Sequence, residues 1–384
     1  FPAIYGDEFG YWAAGSFFAG LHWENITTIN PYYGYGYGFF LSIILQLVDS
    51  PIVGYKIALY CNIFTMIMIY ILILKVEKIL LRFAQCELSV WLQICIAMFV
   101  ECYTSYIQYV NYSWAEIPTL FFTWCGIWVA LKCIEKNTIN NQVFLMLVSF
   151  ILVTIHMRNL GFFITAFLFL MFLNMRLEQR KEMIYLVIIS SLFLIIFWGI
   201  KEIYTGNYYI ELSGNCHNVD NELSGIWRKI ESLCSFQGIK KFFVALSGKI
   251  YYLSMASFGF ALFPIFFSLN SIKKKLKGQS LASLEIAVLF GNGLSIIMLL
   301  ICNIYMINYD TRFDLLLYGR YFENSIPYLM LIGAILIASN DCILRNKEFV
   351  YAIILILSVA TVVEKNQNYK LAKGNVFVNM TPIA

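Results

Sequence analysis

The chain has 384 residues, of which 60% are hydrophobic, 17% aromatic and 13% charged, with a net charge of +4. Its mean hydropathy is +0.72, whereas a soluble domain carries roughly 45–50% apolar and about 25% charged residues. A soluble enzyme and a nucleic-acid binder are thereby excluded, which leaves an all-α polytopic membrane protein whose few polar residues carry the function.

Residues 1–50 read as an external first loop. The chain opens at Phe1 without Met or a recognisable signal peptide, so an N-terminal span is expected to be missing ahead of it. In DEFGYWAAGSFFAG, Phe9, Trp12, Ala13 and Phe17 recur at helical spacing, which predicts an amphipathic helix lying in the membrane interface. Asp7 and Glu8 open this helix, and Asp7 and Tyr11 stand four apart on one face. The structural alternative is that the two acids charge a helix N-terminus. The stretch NPYYGYGYGFF follows, with Tyr33, Tyr35 and Tyr37 alternating with glycines. Interfacial tyrosines form membrane belts, but alternating glycine also lets a backbone approach a ligand closely.

From 51 to 363 the pattern predicts a transmembrane bundle of about ten helical spans, each needing roughly 20 apolar residues. They are placed at 52–75, 89–107, 116–134, 184–203, 248–270, 284–307, 325–339 and 349–363, with the apolar stretch 143–173 broken by His156, Arg158 and Asn159. Two short spans meeting at a polar elbow are expected there, because irregular backbone at depth is tolerated where it lines a cavity. In NYSWAEIP, Ser113 or Asn111 is expected to cap a helix that carries Glu116 in its first turn. Residues 204–247 form a long external loop with Cys216 and Cys234, for which a disulfide and free thiols are both open. In YDTRFDLLLYGRYFEN, Arg320 and Glu323 read either as a helix-surface ion pair or as part of an anion site beside Tyr321. Residues 364–384 are a polar external tail.

Charge asymmetry supports this layout. With the first loop outside, 14 of the 27 basic residues fall in five short inside loops, such as Lys273, Lys274, Lys275 and Lys277. The external short segments hold Arg158, Arg312 and Arg320. Cations and a His facing carboxylates on one side of a membrane suit a phosphate and a general base.

The blocks DEFGYWAAGSFFAG, HW and YYGYGYGFFLSIILQLVDSP resemble the first external loop of the GT-C superfamily of multispanning glycosyltransferases. They look like the bacterial branch related to protein O-mannosyltransferases and aminoarabinose transferases. HMRNLGFF and GRYFENSIPYLMLIG are similar to patterns of the same branch. The resemblance implies a GT-C-like bundle in the cell membrane that moves a sugar from a polyprenyl-phosphate donor to a hydroxyl of an envelope glycan, lipid or protein on the extracytoplasmic face. It implies Asp7 as catalytic base with Glu8 beside it, Arg158 and Arg320 with His156 at the phosphate, and inversion at the anomeric carbon. Tyr11, the tyrosines at 33, 35 and 37, Glu116, Tyr321 and Glu323 are its remaining candidate substrate contacts. Some relatives use a divalent ion, magnesium or manganese. Asp7 and Glu8 offer oxygen ligands, but no second acid stands at ligating spacing, so no metal site is assigned and metal independence is expected. A flippase for a lipid-linked glycan and a polysaccharide polymerase are the alternatives.

Overall fold

The computed structural model describes residues 6–21, 34–210, 229–231, 233–307, 313–339 and 346–366. Among them the regular structure is helical, and five helices are long and apolar enough to cross a membrane: Pro51–Phe83, Glu116–Glu135, Met157–Arg176, Arg180–Ile203 and Ser283–Tyr305. The chain divides into two compact units, Phe1–Ile73 with Tyr106–Val219, and Leu74–Ser105 with Asp220–Ala384.

In the first unit, α1 (Gly6–Phe18) packs along α2 (Tyr35–Leu47). Their contact needs small residues, since a Cβ on Gly38 would collide with Ala14 and one on Gly15 would press on Leu41. The face of α1 differs from the one expected. Tyr11, Trp12, Ala13 and Ala14 are buried while Phe9 is exposed, because α1 is covered by protein on that side. Helix α3 (Pro51–Phe83) continues past the 52–75 span; its 33 residues extend about 50 Å at 1.5 Å per residue, against an apolar bilayer core of about 30 Å. α5 (Thr104–Tyr109) and α6 (Glu116–Glu135) follow after the loop through the second unit.

The elbow is present as a break in the helix. α7 (Ile139–Ile155) is capped by Thr138, whose hydroxyl accepts from Asn141 N at 3.4 Å. It ends at His156 in extended backbone, and a 3₁₀ turn, Met157–Asn159, leads into α8 (Leu160–Arg176). The Asn159 amide donates back to Leu152 O at 2.9 Å, so the freed end of α7 is bonded within the break. α9 (Arg180–Ile210) runs beyond the 184–203 span into what composition assigns to a loop. Asn137, Gln142, Asn174 and Gln179 tie one end of these helices together through amide hydrogen bonds of 2.7–3.0 Å.

The second unit corrects two expected spans. The 89–107 stretch divides into α4 (Val90–Glu101) and α5, with the turn at Cys102 and Tyr103. The 248–270 stretch divides into α10 (Phe236–Ala256) and α11 (Leu262–Leu276). A left-handed stop explains the second break: Phe258 and Gly259 have φ of 50° and 79°, Phe258 N donates to Met255 O at 3.0 Å, and Gly259 N to Ser254 O at 2.8 Å. This is the paired-bond helix terminator, which satisfies the carbonyls of Ser254 and Met255. α12 (Ser283–Tyr305), α13 (Ile326–Ala338) and α14 (Asn346–Asn366) complete the unit. Glu285 closes the start of α12, accepting from Ala282 N at 2.8 Å and from Lys274 at 2.6 Å.

Candidate functional site

Glu8 is the centre of the polar network in the first unit. It is fully buried, and its Oε1 accepts from the Tyr55 hydroxyl at 2.8 Å and from the Ser113 backbone N–H at 2.6 Å. Charge-assisted bonds of this kind are the strong ones, and they fasten α1 to α3 and to the segment entering α6. Tyr37 Oη lies 3.2 Å from Ser113 Oγ, and its ring meets Tyr11 edge-on at 5.3 Å. Burial pushes the Tyr37 phenol well above its ordinary value, with Glu8 and Glu116 adding to the rise, so it stays protonated as a hydrogen-bonding group. Trp12 stacks on Tyr55 at 6.4 Å, closing the apolar side of the network.

Glu116 and Arg158 form the second half. Their side chains are 1% and 2% exposed, and Arg158 Nη2 donates to Glu116 Oε1 at 3.1 Å. Arg158 N also donates to His156 Nδ1 at 3.2 Å, so His156 caps the 3₁₀ turn that carries the arginine. Burying a guanidinium is tolerable only with a partner of this quality.

The glycines of YGYGYG have a structural use. Added Cβ atoms on Gly34 and Gly36 would collide with Thr154 and Ile155, at the end of α7. The close backbone approach expected for a ligand is therefore made to the helix before the elbow, and it brings Tyr35 and Tyr37 against that helix. Tyr35 stacks on Phe197 at 5.9 Å.

Glu8, Tyr11, Tyr37, Glu116, His156 and Arg158 gather in the first unit, but Tyr11, Tyr37 and Glu8 are buried rather than presented as a surface. The side chain of Asp7 lies outside the described residues, although its backbone belongs to α1. Tyr33 and Cys216 also lie outside them, and with Cys216 the Cys216–Cys234 pairing; Cys234 itself is exposed. Ser113 and Asn111 do not cap α6: its N-cap is Ala115, without a side-chain bond, and the Ser113 hydroxyl is paired with Tyr37 while its backbone N–H goes to Glu8. Arg158, expected at the phosphate, is buried and paired with Glu116.

Arg320, Tyr321 and Glu323 belong to the second unit. Glu323 is buried and accepts from the Tyr252 hydroxyl and, at 3.1 Å, from Ser105 Oγ. Glu323, read either as a partner of Arg320 or as part of an anion site, is thus held in an interior network. Arg320 and Tyr321 are half-buried, and the Tyr321 ring meets Tyr305 at 6.2 Å and Tyr318 at 5.5 Å. Lys229 lies 5.3 Å over the Tyr305 ring and donates to Tyr305 O at 2.8 Å; burial holds its ammonium below the ordinary lysine value.

Sequence reasoning missed Tyr55, Tyr252, Ser105 and Lys249. Lys249 is fully buried and donates to the carbonyls of Leu315 and Leu316. It stood inside an expected span, where a charge by itself marks a built environment. Tyr55, Tyr252 and Ser105 carried no comparable signal, since tyrosine and serine are common in such helices. Among the described residues no group of three His, Cys, Asp or Glu side chains gathers to hold a metal ion. Compared with family models, curated proteins and solved structures, the chain has no match.

Proposed function

We propose that this chain is a membrane glycosyltransferase that moves a sugar from a polyprenyl-phosphate donor to a hydroxyl acceptor on the extracytoplasmic face, for envelope glycan, lipid or protein modification. The observation that carries the reading is the fixing of α1. Glu8 binds Tyr55 and Ser113, so the helix that opens with the acid pair is held in one unit with the Arg158 elbow. Such preorganisation is what electrostatic catalysis requires.

In this reading Asp7 takes the acceptor proton as the acceptor oxygen bonds to the anomeric carbon. The carbon–oxygen bond to phosphate breaks, and the phosphate leaves with the electron pair. One displacement inverts the anomeric centre. Glu8, being hydrogen-bonded and buried, is assigned to position α1 rather than to take the proton. Arg158, paired with Glu116, orders the elbow that stands in the same unit.

Reconstituted protein with a labelled polyprenyl-phosphate sugar and a hydroxyl acceptor tests this. Asp7→Asn is expected to lower transfer by the 10²–10⁴-fold typical of a lost general base, at unchanged protein level. Glu8→Gln is expected to lower both transfer and thermal stability. Near wild-type transfer by Asp7→Asn would remove the base assignment. Movement of the lipid across the bilayer without bond cleavage would replace the enzyme with a flippase.

A further inference from the structure

A cavity of about 450 Å³ opens on the side of the first unit, between the elbow, α8 and α9. Apart from Ser190 and Ser191 its lining is apolar or aromatic, with Val153 and Met157 at the elbow, Phe163 on α8, and Leu194 and Trp198 on α9. Both long walls are helices of membrane-crossing length, and only 17% of the apolar window of Arg180–Ile203 is covered by protein. A groove this apolar gives water too few partners to fill it, and it opens toward the surface that hydrocarbon would cover.

Its dimensions select the occupant. Along α9 the lining runs from Val187 to Trp198, about 16 Å at 1.5 Å per residue, or half of an apolar core of about 30 Å. That is the length of one acyl chain. A polyprenyl carrier of many isoprene units would overfill it. At the Trp198 end, where aromatic side chains mark the membrane boundary, charges of both signs follow. Lys201 sits 5.2 Å over the Trp198 ring, and Glu202 is exposed at the next position. These two stand three and four residues after Trp198 and so share its side of the helix. Lysine suits a phosphate, and the neighbouring carboxylate suits an ammonium.

We infer that this groove is a binding site for one acyl chain of a glycerophospholipid with an ammonium-bearing headgroup, with its phosphate at Lys201 and its ammonium at Glu202. The bound chain completes the packing between α8 and α9 beside Met157, next to the buried arginine. The inference uses the membrane placement of these helices and does not depend on glycosyl transfer.

The full chain is reconstituted in bilayers of equal parts phosphatidylethanolamine, phosphatidylglycerol and polyprenyl phosphate, extracted in mild detergent and weighed by native mass spectrometry. One phosphatidylethanolamine per chain is expected to be retained. Leu194→Trp, which fills the groove, is expected to reduce retention at least tenfold, and Lys201→Ala several-fold. Because Leu194→Trp perturbs packing, the wild-type chain is also labelled with a phospholipid carrying a photoreactive acyl chain. Adducts concentrated on peptides 153–168 and 187–198 support the site. Retention of polyprenyl phosphate instead, preference for phosphatidylglycerol, or adducts spread evenly over the lipid-facing helices overturns it.

Discussion

The two units bury charge in different ways. In the first, Arg158 meets a carboxylate of opposite sign, and Glu8 takes a backbone N–H and a phenol. In the second, Lys249 is turned to the carbonyls of Leu315 and Leu316, while Glu323 takes the hydroxyls of Tyr252 and Ser105. The first arrangement joins segments far apart in sequence through side chains. The second pins one backbone segment, 315–323, onto one face of α10, since Lys249 and Tyr252 stand three apart. A charge met by an opposite charge is costly to strand, whereas one solvated by carbonyl dipoles and hydroxyls can be replaced more gently.

The largest expected effect tests the first half of that contrast. Arg158→Ala leaves Glu116 buried without its cation and is expected to lose about 3–5 kcal/mol, the usual loss when one member of a buried pair is removed. Replacing both, as Glu116→Leu with Arg158→Met, is expected to recover most of it. Denaturant unfolding in detergent measures both. If the double variant is no better than the single one, the pair is not an isolated ion pair and the contrast between the units weakens.

How much of this could be read from the chain follows from the same physics. The all-helical class and the break at His156 are legible, because twenty-residue apolar runs and a charge within one leave few arrangements. Gathering of Glu8, Glu116 and Arg158 in one unit is also legible, as polar groups in apolar helices must find one another. The glycines of YGYGYG were ambiguous, because a short side chain signals close approach without naming the neighbour; the neighbour is the Thr154–Ile155 backbone. The end of α10 was hidden, since Phe258 takes the left-handed position that glycine usually marks. The anchoring of Glu8 was hidden too, because the Ser113 N–H that holds it is a backbone group and has no side-chain signature.

Close packing gives the next effect. Gly34→Ala sets a methyl against backbone carbonyls of Thr154 and Ile155, and Gly319→Ala sets one against the Tyr252 ring. Overpacking typically costs about 1–3 kcal/mol. The larger loss is expected at Gly34, where the obstacle is main chain, and the smaller at Gly319, where a ring can shift. Thermal unfolding of the two variants in the same detergent ranks them. The reverse order would mean that Tyr252, tied to Glu323, is as immobile as backbone.

Within the second unit, Tyr252→Phe removes one donor from Glu323 and is expected to lose about 1–3 kcal/mol. Lys249→Met is expected to lose less, because removing the ammonium also removes the penalty of burying it. Unfolding measurements give the order. A loss for Lys249→Met as large as that for Arg158→Ala would show that the two units bury charge on equal terms.

Lys229 gives the smallest effect and one of a different sign with pH. Its ammonium is held below the ordinary lysine value by burial, so between its folded value and about 10.4 the unfolded chain binds more protons than the folded one. Stability therefore rises with pH across that window: the burial penalty is fully present below the folded value and gone above the unfolded one. Lys229→Met has nothing to titrate at that position. The Tm of the wild type minus that of the variant is expected to rise as pH is raised through this window, with the ring contact to Tyr305 opposing the change only weakly. A wild type that falls relative to the variant over the same range would mean that the cation over Tyr305 and its bond to the Tyr305 carbonyl outweigh desolvation, making Lys229 a favourable buried charge like Arg158.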